Sequence, residues 1–158
     1  MPTGIAQSDS MLTSSIRMSD HRPRVKFVDS AVQVLVSGQP PSWFAPTMTR
    51  LTELSYLPAR WDGYGARPIQ SSLINAVVKW LITLMPNDIP APSVVPTTPG
   101  GLQFEWHMHG IDLEIEIFPD FRWLSSYEDT LTDDPWESDR DGGRLWEALR
   151  ELARRSTR

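Results

Sequence analysis

The stretch from Gly101 to Ile117 constrains this chain more than any other, because apolar and polar residues alternate on both sides of the dipeptide His109-Gly110. Alternation with period two suits strands buried on one face, and a two-residue connection ending in glycine suits a tight hairpin turn. Centring the turn there sets Trp106 against Leu113, Phe104 against Ile115 and Leu102 against Ile117, and a slip of one residue would spoil all three apolar pairs. The other face then follows: Gln103 against Glu116, Glu105 against Glu114, His107 against Asp112. One acidic pair is therefore expected directly across the ladder, where like charges destabilise by about 0.2–1 kcal/mol.

Further elements surround this hairpin. Leu73, Ala76, Val77, Trp80, Leu81 and Leu84 recur at steps of three and four, which predicts an amphipathic helix over Ile69 to Met85, ended by Pro86. A shorter helix is expected over Thr47 to Leu57, stopped by Pro58, and a C-terminal one over Arg144 to Arg155. Five prolines and two glycines between Pro86 and Gly101 make that stretch an extended crossover, with Val94 and Val95 able to form a short edge pairing. A third strand of the meander is expected over Phe121 to Tyr127. Val25 to Val36 reads as a strand or strand pair that extends the sheet, with a helix as the second choice, residues 1–24 as a flexible arm, and residues 129–143 as an acidic linker. The expected fold class is α+β, an antiparallel meander covered by one main helix, forming a single domain over residues 25–128 with a C-terminal helix over 144–158.

Charge is unevenly distributed. Residues 1–100 carry net charge +2 and residues 101–158 net −7, giving −5 over the 158 residues. Between Glu105 and Asp141 twelve carboxylates meet only Arg122 and Arg140, while the chain end is rich in arginine. Such a surface argues against nucleic acid, whose binding depends on cations that neutralise phosphates, and favours a basic protein partner. The absence of cysteine excludes a disulfide framework and thiolate metal sites. No apolar run is long enough to span a membrane and no secretory leader follows Met1, so a cytoplasmic protein is expected.

The predicted row of Glu105, Glu114 and Glu116 needs an explanation. Arg122 on the third strand could neutralise it, as could Arg60 or Arg67; a divalent cation could bridge it with help from His107; a basic partner could supply the charge; or the row could simply face water. His107-Met108-His109 is a weak metal pattern because His109 falls in the turn. Glu114 and Glu116 share a face, as acid and base pairs do, but no phosphate-binding loop, nucleophile elbow or zinc-protease motif accompanies them. No catalytic residue, metal site or cofactor is assigned. The loop Trp61-Asp62-Gly63-Tyr64-Gly65 admits two readings: a recognition loop with exposed aromatics, or a structural one in which Trp61 plugs the gap between helix and sheet while Asp62 caps the turn.

The blocks Leu57-Pro58-Ala59-Arg60-Trp61-Asp62-Gly63-Tyr64-Gly65-Ala66, Pro96-Thr97-Thr98-Pro99-Gly100-Gly101-Leu102-Gln103-Phe104-Glu105-Trp106 and Leu113-Glu114-Ile115-Glu116 resemble an uncharacterised group of small bacterial proteins that share this loop, an amphipathic helix and these glutamates. The resemblance covers roughly Leu51 to Glu128 and implies a stand-alone domain without assigning a reaction. The expected function is protein binding, in the manner of a bacterial accessory, antitoxin-like or defence-system subunit, through Trp61, Asp62, Tyr64, Glu105, Glu114, Glu116 and Arg122. A metal-dependent hydrolase using the glutamate row and a homodimer paired through a sheet edge are the alternatives.

Overall fold

His109 and Gly110 both take left-handed backbone angles, φ 54° and 76°, the geometry of a two-residue turn whose twist matches that of the strands it joins. In the computed structural model, which describes residues 39–158, this turn joins β2 (Leu102–Met108) to β3 (Ile111–Ile117). The register is the expected one, with Trp106 opposite Leu113, Phe104 opposite Ile115 and Glu105 opposite Glu114. β1 (Ser93–Pro96) adds the edge pairing, Val94 lying opposite Phe104. β4 (Trp123–Asp129) follows on the other side of β3, and the five-stranded antiparallel sheet has the order of the chain, β1 to β5.

The fifth strand is a difference from expectation. β5 (Trp136–Asp139) pairs with β4 inside the stretch read as an acidic linker. Its four residues include one large apolar side chain, Trp136, which stacks on Tyr127 with ring centroids 5.6 Å apart. Partner rings, and not its own periodicity, therefore bring this strand into the sheet. β4 also starts two residues later than expected, because Phe121 takes φ 66° and Phe118 N donates to Arg122 O at 2.8 Å, which closes a turn across residues 118–122.

Three helices complete the fold: α1 (Phe44–Ser55), α2 (Ser71–Leu84) and α3 (Gly142–Ser156). α1 begins earlier than predicted because Pro46 falls in its first turn, where the missing N–H breaks no helical bond. Asp141 caps α3 by accepting from Arg144 N at 3.0 Å. The prolines of the crossover cannot donate, yet two carbonyls before β1 accept: Pro86 O from Trp43 Nε1 at 3.0 Å and Pro90 O from Trp106 Nε1 at 2.8 Å. These two bonds seat tryptophans that are wholly buried.

One core holds the layers together. It takes Leu51 and Leu54 from α1, Leu73, Val77 and Leu81 from α2, Leu145, Leu149 and Leu152 from α3, and Leu102, Phe104, Trp106, Leu113 and Ile115 from a single face of the sheet. Since the sheet contributes residues of one parity only, all three helices lie on the same face, and none of the described helices covers the other. Val25 to Val36 and the arm over 1–24 lie outside the described residues. No described helix is long and apolar enough to cross a membrane.

Candidate functional site: the uncovered sheet face

Alternation along four strands fills the uncovered face with carboxylates. β2 presents Gln103, Glu105 and His107; β3 presents Asp112, Glu114 and Glu116; β4 presents Leu124, Ser126 and Glu128; β5 adds Glu137, which pairs with Ser126. One row thus runs Glu105, Glu114, Ser126, Glu137 across adjacent strands, and a second runs His107, Asp112, Glu128. His107 is the single cationic side chain that these positions supply. A groove of about 570 Å³ lies over this face, lined by His107, Asp112, Glu114, Ser126, Glu128 and Glu137 among others.

Local hydrogen bonds order part of the face. Gln103 Nε2 donates to Glu114 Oε2 at 3.1 Å, the diagonal contact that the hairpin register allows. His107 Nδ1 lies 2.8 Å from Asp112 Oδ1 and its Nε2 lies 3.6 Å from Glu105 Oε2. Bonding to Asp112, supported by Glu105, pushes the imidazole pKa above its ordinary 6.5, so the ring is charged at higher pH than a free histidine. When protonated, the ring is shared between two carboxylates.

Arg122 does not join this face. Its Nε donates to Asp120 Oδ2 at 2.7 Å, its backbone N donates to Asp120 Oδ1 at 3.2 Å, and its guanidinium sits 5.3 Å from the Phe118 ring centroid. The turn over 118–122 turns the side chain back onto its own loop, so neutralisation of the glutamate row by Arg122, one of the possibilities the sequence left open, is not the arrangement found. The cation-bridging alternative likewise lacks its geometry, since among the described residues no group of three or more His, Cys, Asp or Glu is placed to hold an ion.

The tryptophan loop is fastened elsewhere. Asp62 Oδ1 accepts from Tyr64 N at 2.8 Å and Ala66 N at 3.1 Å, the Asx-type turn expected of it, and these N–H groups hold its carboxyl below the usual range. Arg60 Nε donates to Tyr64 O at 3.0 Å, and Arg67 N donates to Thr98 O at 2.9 Å, which ties the loop to the β1–β2 turn. Trp61 is half-buried, its Nε1 sequestered without a hydrogen-bond partner among the described residues, whereas Tyr64 is 84% exposed. The loop thus contains a packed residue, a turn-forming one and a free aromatic.

The structure therefore unites Glu105, Glu114 and Glu116 on one surface, anchors Trp61, Asp62 and Tyr64 at the β1–β2 turn, and withdraws Arg122 into its own turn. Glu128 and Glu137 join the surface without having been singled out in the sequence. The alternation Trp136-Glu137-Ser138 after Pro135 was the available signal for Glu137. No family model, curated protein or solved structure matches this chain.

Proposed function

We propose that this chain is a small acidic protein-binding module whose uncovered sheet face engages a basic protein partner. One observation carries the reading: six carboxylates, Glu105, Asp112, Glu114, Glu116, Glu128 and Glu137, occupy a face that the described helices leave open, with His107 as the one basic side chain among these positions. A folded chain gains nothing by opposing Glu105 and Glu114, and the repulsion is relieved when a partner brings lysine or arginine to the groove. Tyr64 offers an aromatic contact at the β1–β2 end of the same sheet. A bacterial accessory role, as an antitoxin-like or defence-system subunit, agrees with a small acidic domain without an enzyme motif and with the resemblance carried by the Trp61 loop and the glutamate hairpin.

The test is capture by crosslinking in the native host with the parent chain and with the Glu105→Ala, Glu114→Ala, Glu116→Ala triple variant, after circular dichroism shows both folded. The expected result is loss of basic partners from the variant and weakening of the parent complex between about 0.1 and 0.5 M salt, over which the screening length shrinks from about 10 Å to about 4 Å. Capture of the same partners by both chains overturns the reading.

A further inference from the structure

The described fold leaves an apolar cleft open at the end of the sheet opposite the His109-Gly110 turn. Ala76, Val77 and Trp80 of α2 form one wall, Ile117 and Trp123 the other, and Phe121 the rim, around a space of about 150 Å³ with almost no polar lining. Trp80 and Trp123 are tilted against each other at 5.9 Å. Phe121 stands at the mouth 53% exposed, although its left-handed backbone, φ 66°, is one that a bulky residue adopts only at a cost. Apolar cavities of this size hold a benzene-sized group. The cleft is thus dimensioned for one large apolar side chain.

We propose that this cleft seats the chain's own stretch 25–36, with Phe27 as its largest apolar side chain. Eight of those twelve residues are apolar, Val25, Phe27, Val28, Ala31, Val32, Val34, Leu35 and Val36, and the acidic face offers them no matching surface. Reach permits it. Trp43 is hydrogen-bonded to Pro86 O, two residues beyond the end of α2 at Leu84, and Trp80 lies only about 6 Å back from that end along the helix at 1.5 Å per residue. The twelve residues from 27 to 38 span up to about 40 Å when extended, against about 6 Å of helix between Leu84 and Trp80. The proposal is independent of the acidic face and its partner.

The chain has no native cysteine, which permits disulfide mapping on the full-length protein. Phe121→Cys is combined in turn with Phe27→Cys, Val32→Cys or Leu12→Cys, and intramolecular oxidation is followed. Phe27→Cys and Val32→Cys are expected to close at least about tenfold faster than Leu12→Cys, because docking raises the local concentration of the thiols. Equal rates at all three positions overturn the proposal, and so does a predominance of intermolecular disulfides, which would assign the cleft to a second copy. A second measurement leaves the rim intact: 5-fluorotryptophan NMR of the parent and of the Phe27→Asp, Val32→Asp chain. Shifted Trp80 and Trp123 signals with an unmoved Trp146 support the docking, and unmoved Trp80 and Trp123 signals overturn it.

Discussion

Arg155, in the last turn of α3, grips Asp129 at the end of β4 through two contacts, Nη1 to Oδ1 at 2.9 Å and Nη2 to Oδ2 at 2.5 Å. The two side chains are only 11% and 2% exposed. Nη1 also donates to His109 O at 3.1 Å, and Nε donates to Glu151 Oε1 at 2.7 Å. Asp129 is satisfied in turn by Tyr127 Oη at 3.1 Å and by Leu131 N at 2.9 Å. One guanidinium therefore ties the C-terminal helix to the hairpin turn and to the end of β4.

Removing that guanidinium strands a buried carboxylate. Arg155→Met is expected to cost about 3–5 kcal/mol in urea unfolding, the range for breaking one side of a buried pair. Arg155→Lys should fall between parent and Met, because an ammonium keeps the charge but not the planar fork. A loss under about 1 kcal/mol for Met would place the contact among surface ion pairs.

The same contact sets an acid limit. Bonding to Arg155, helped by Leu131 N and Tyr127, holds the Asp129 carboxyl at about 2, below its ordinary 3.8. A folded-state pKa depressed in this way contributes stability that is complete above the unfolded value and is lost as pH falls towards the folded one. Glu151, held at about 2 by Arg154 and then Arg155, acts in the same direction. His107, whose pKa is raised, adds stability as pH falls towards its unfolded 6.5, so urea midpoints should not fall between pH 7 and about 5 and should fall between about pH 4 and 2, with the fall shallower in Arg155→Met. An equally steep fall in that variant would remove Asp129 as its source.

Elements with two concordant signals were legible in the sequence, and those with one were not. The hairpin combined alternation with a turn dipeptide, so its register and the Glu105–Glu114 opposition could be read directly, and α2 combined a helical stripe with a closing proline. β5 had neither: one tryptophan in four residues, paired to β4 and stacked on Tyr127, is held by its neighbours. Asp129 and Arg155, separated by 26 positions, form their contact only once α3 is packed. Arg122 was within reach of the glutamate row by strand position, but the left-handed Phe121 turned it back towards Asp120.

Opposed glutamates leave a measurable signature in the isolated chain. Glu105→Gln removes one charge from the cross-strand pair with Glu114 while keeping its shape, and it is expected to raise stability by about 0.2–1 kcal/mol at low ionic strength. Because the face is open to solvent, the gain should shrink towards zero near 1 M salt, where screening extends over only about 3 Å. A gain that does not depend on salt would point to packing, not charge. Loss of the 3.6 Å contact with His107 Nε2 would also lower the histidine pKa, which NMR titration can follow separately.

Gly101 is required for space. A Cβ there would lie 2.5 Å from the Ile117 carbonyl oxygen and 2.7 Å from Thr97 Oγ1. The first obstacle is backbone in β3, beside the Leu102–Ile117 pair, and it cannot retreat without opening the hairpin that carries the acidic face. Gly101→Ala is therefore expected to cost about 1–3 kcal/mol, as overpacking does, whereas Gly65→Ala, with nothing within 4 Å, should stay within about 0.5 kcal/mol. Adding Thr97→Ala removes only the second obstacle, so the double variant should recover part of the loss. Full recovery would mean that the Ile117 carbonyl moves freely, and this end of the sheet would then be softer than its close packing implies.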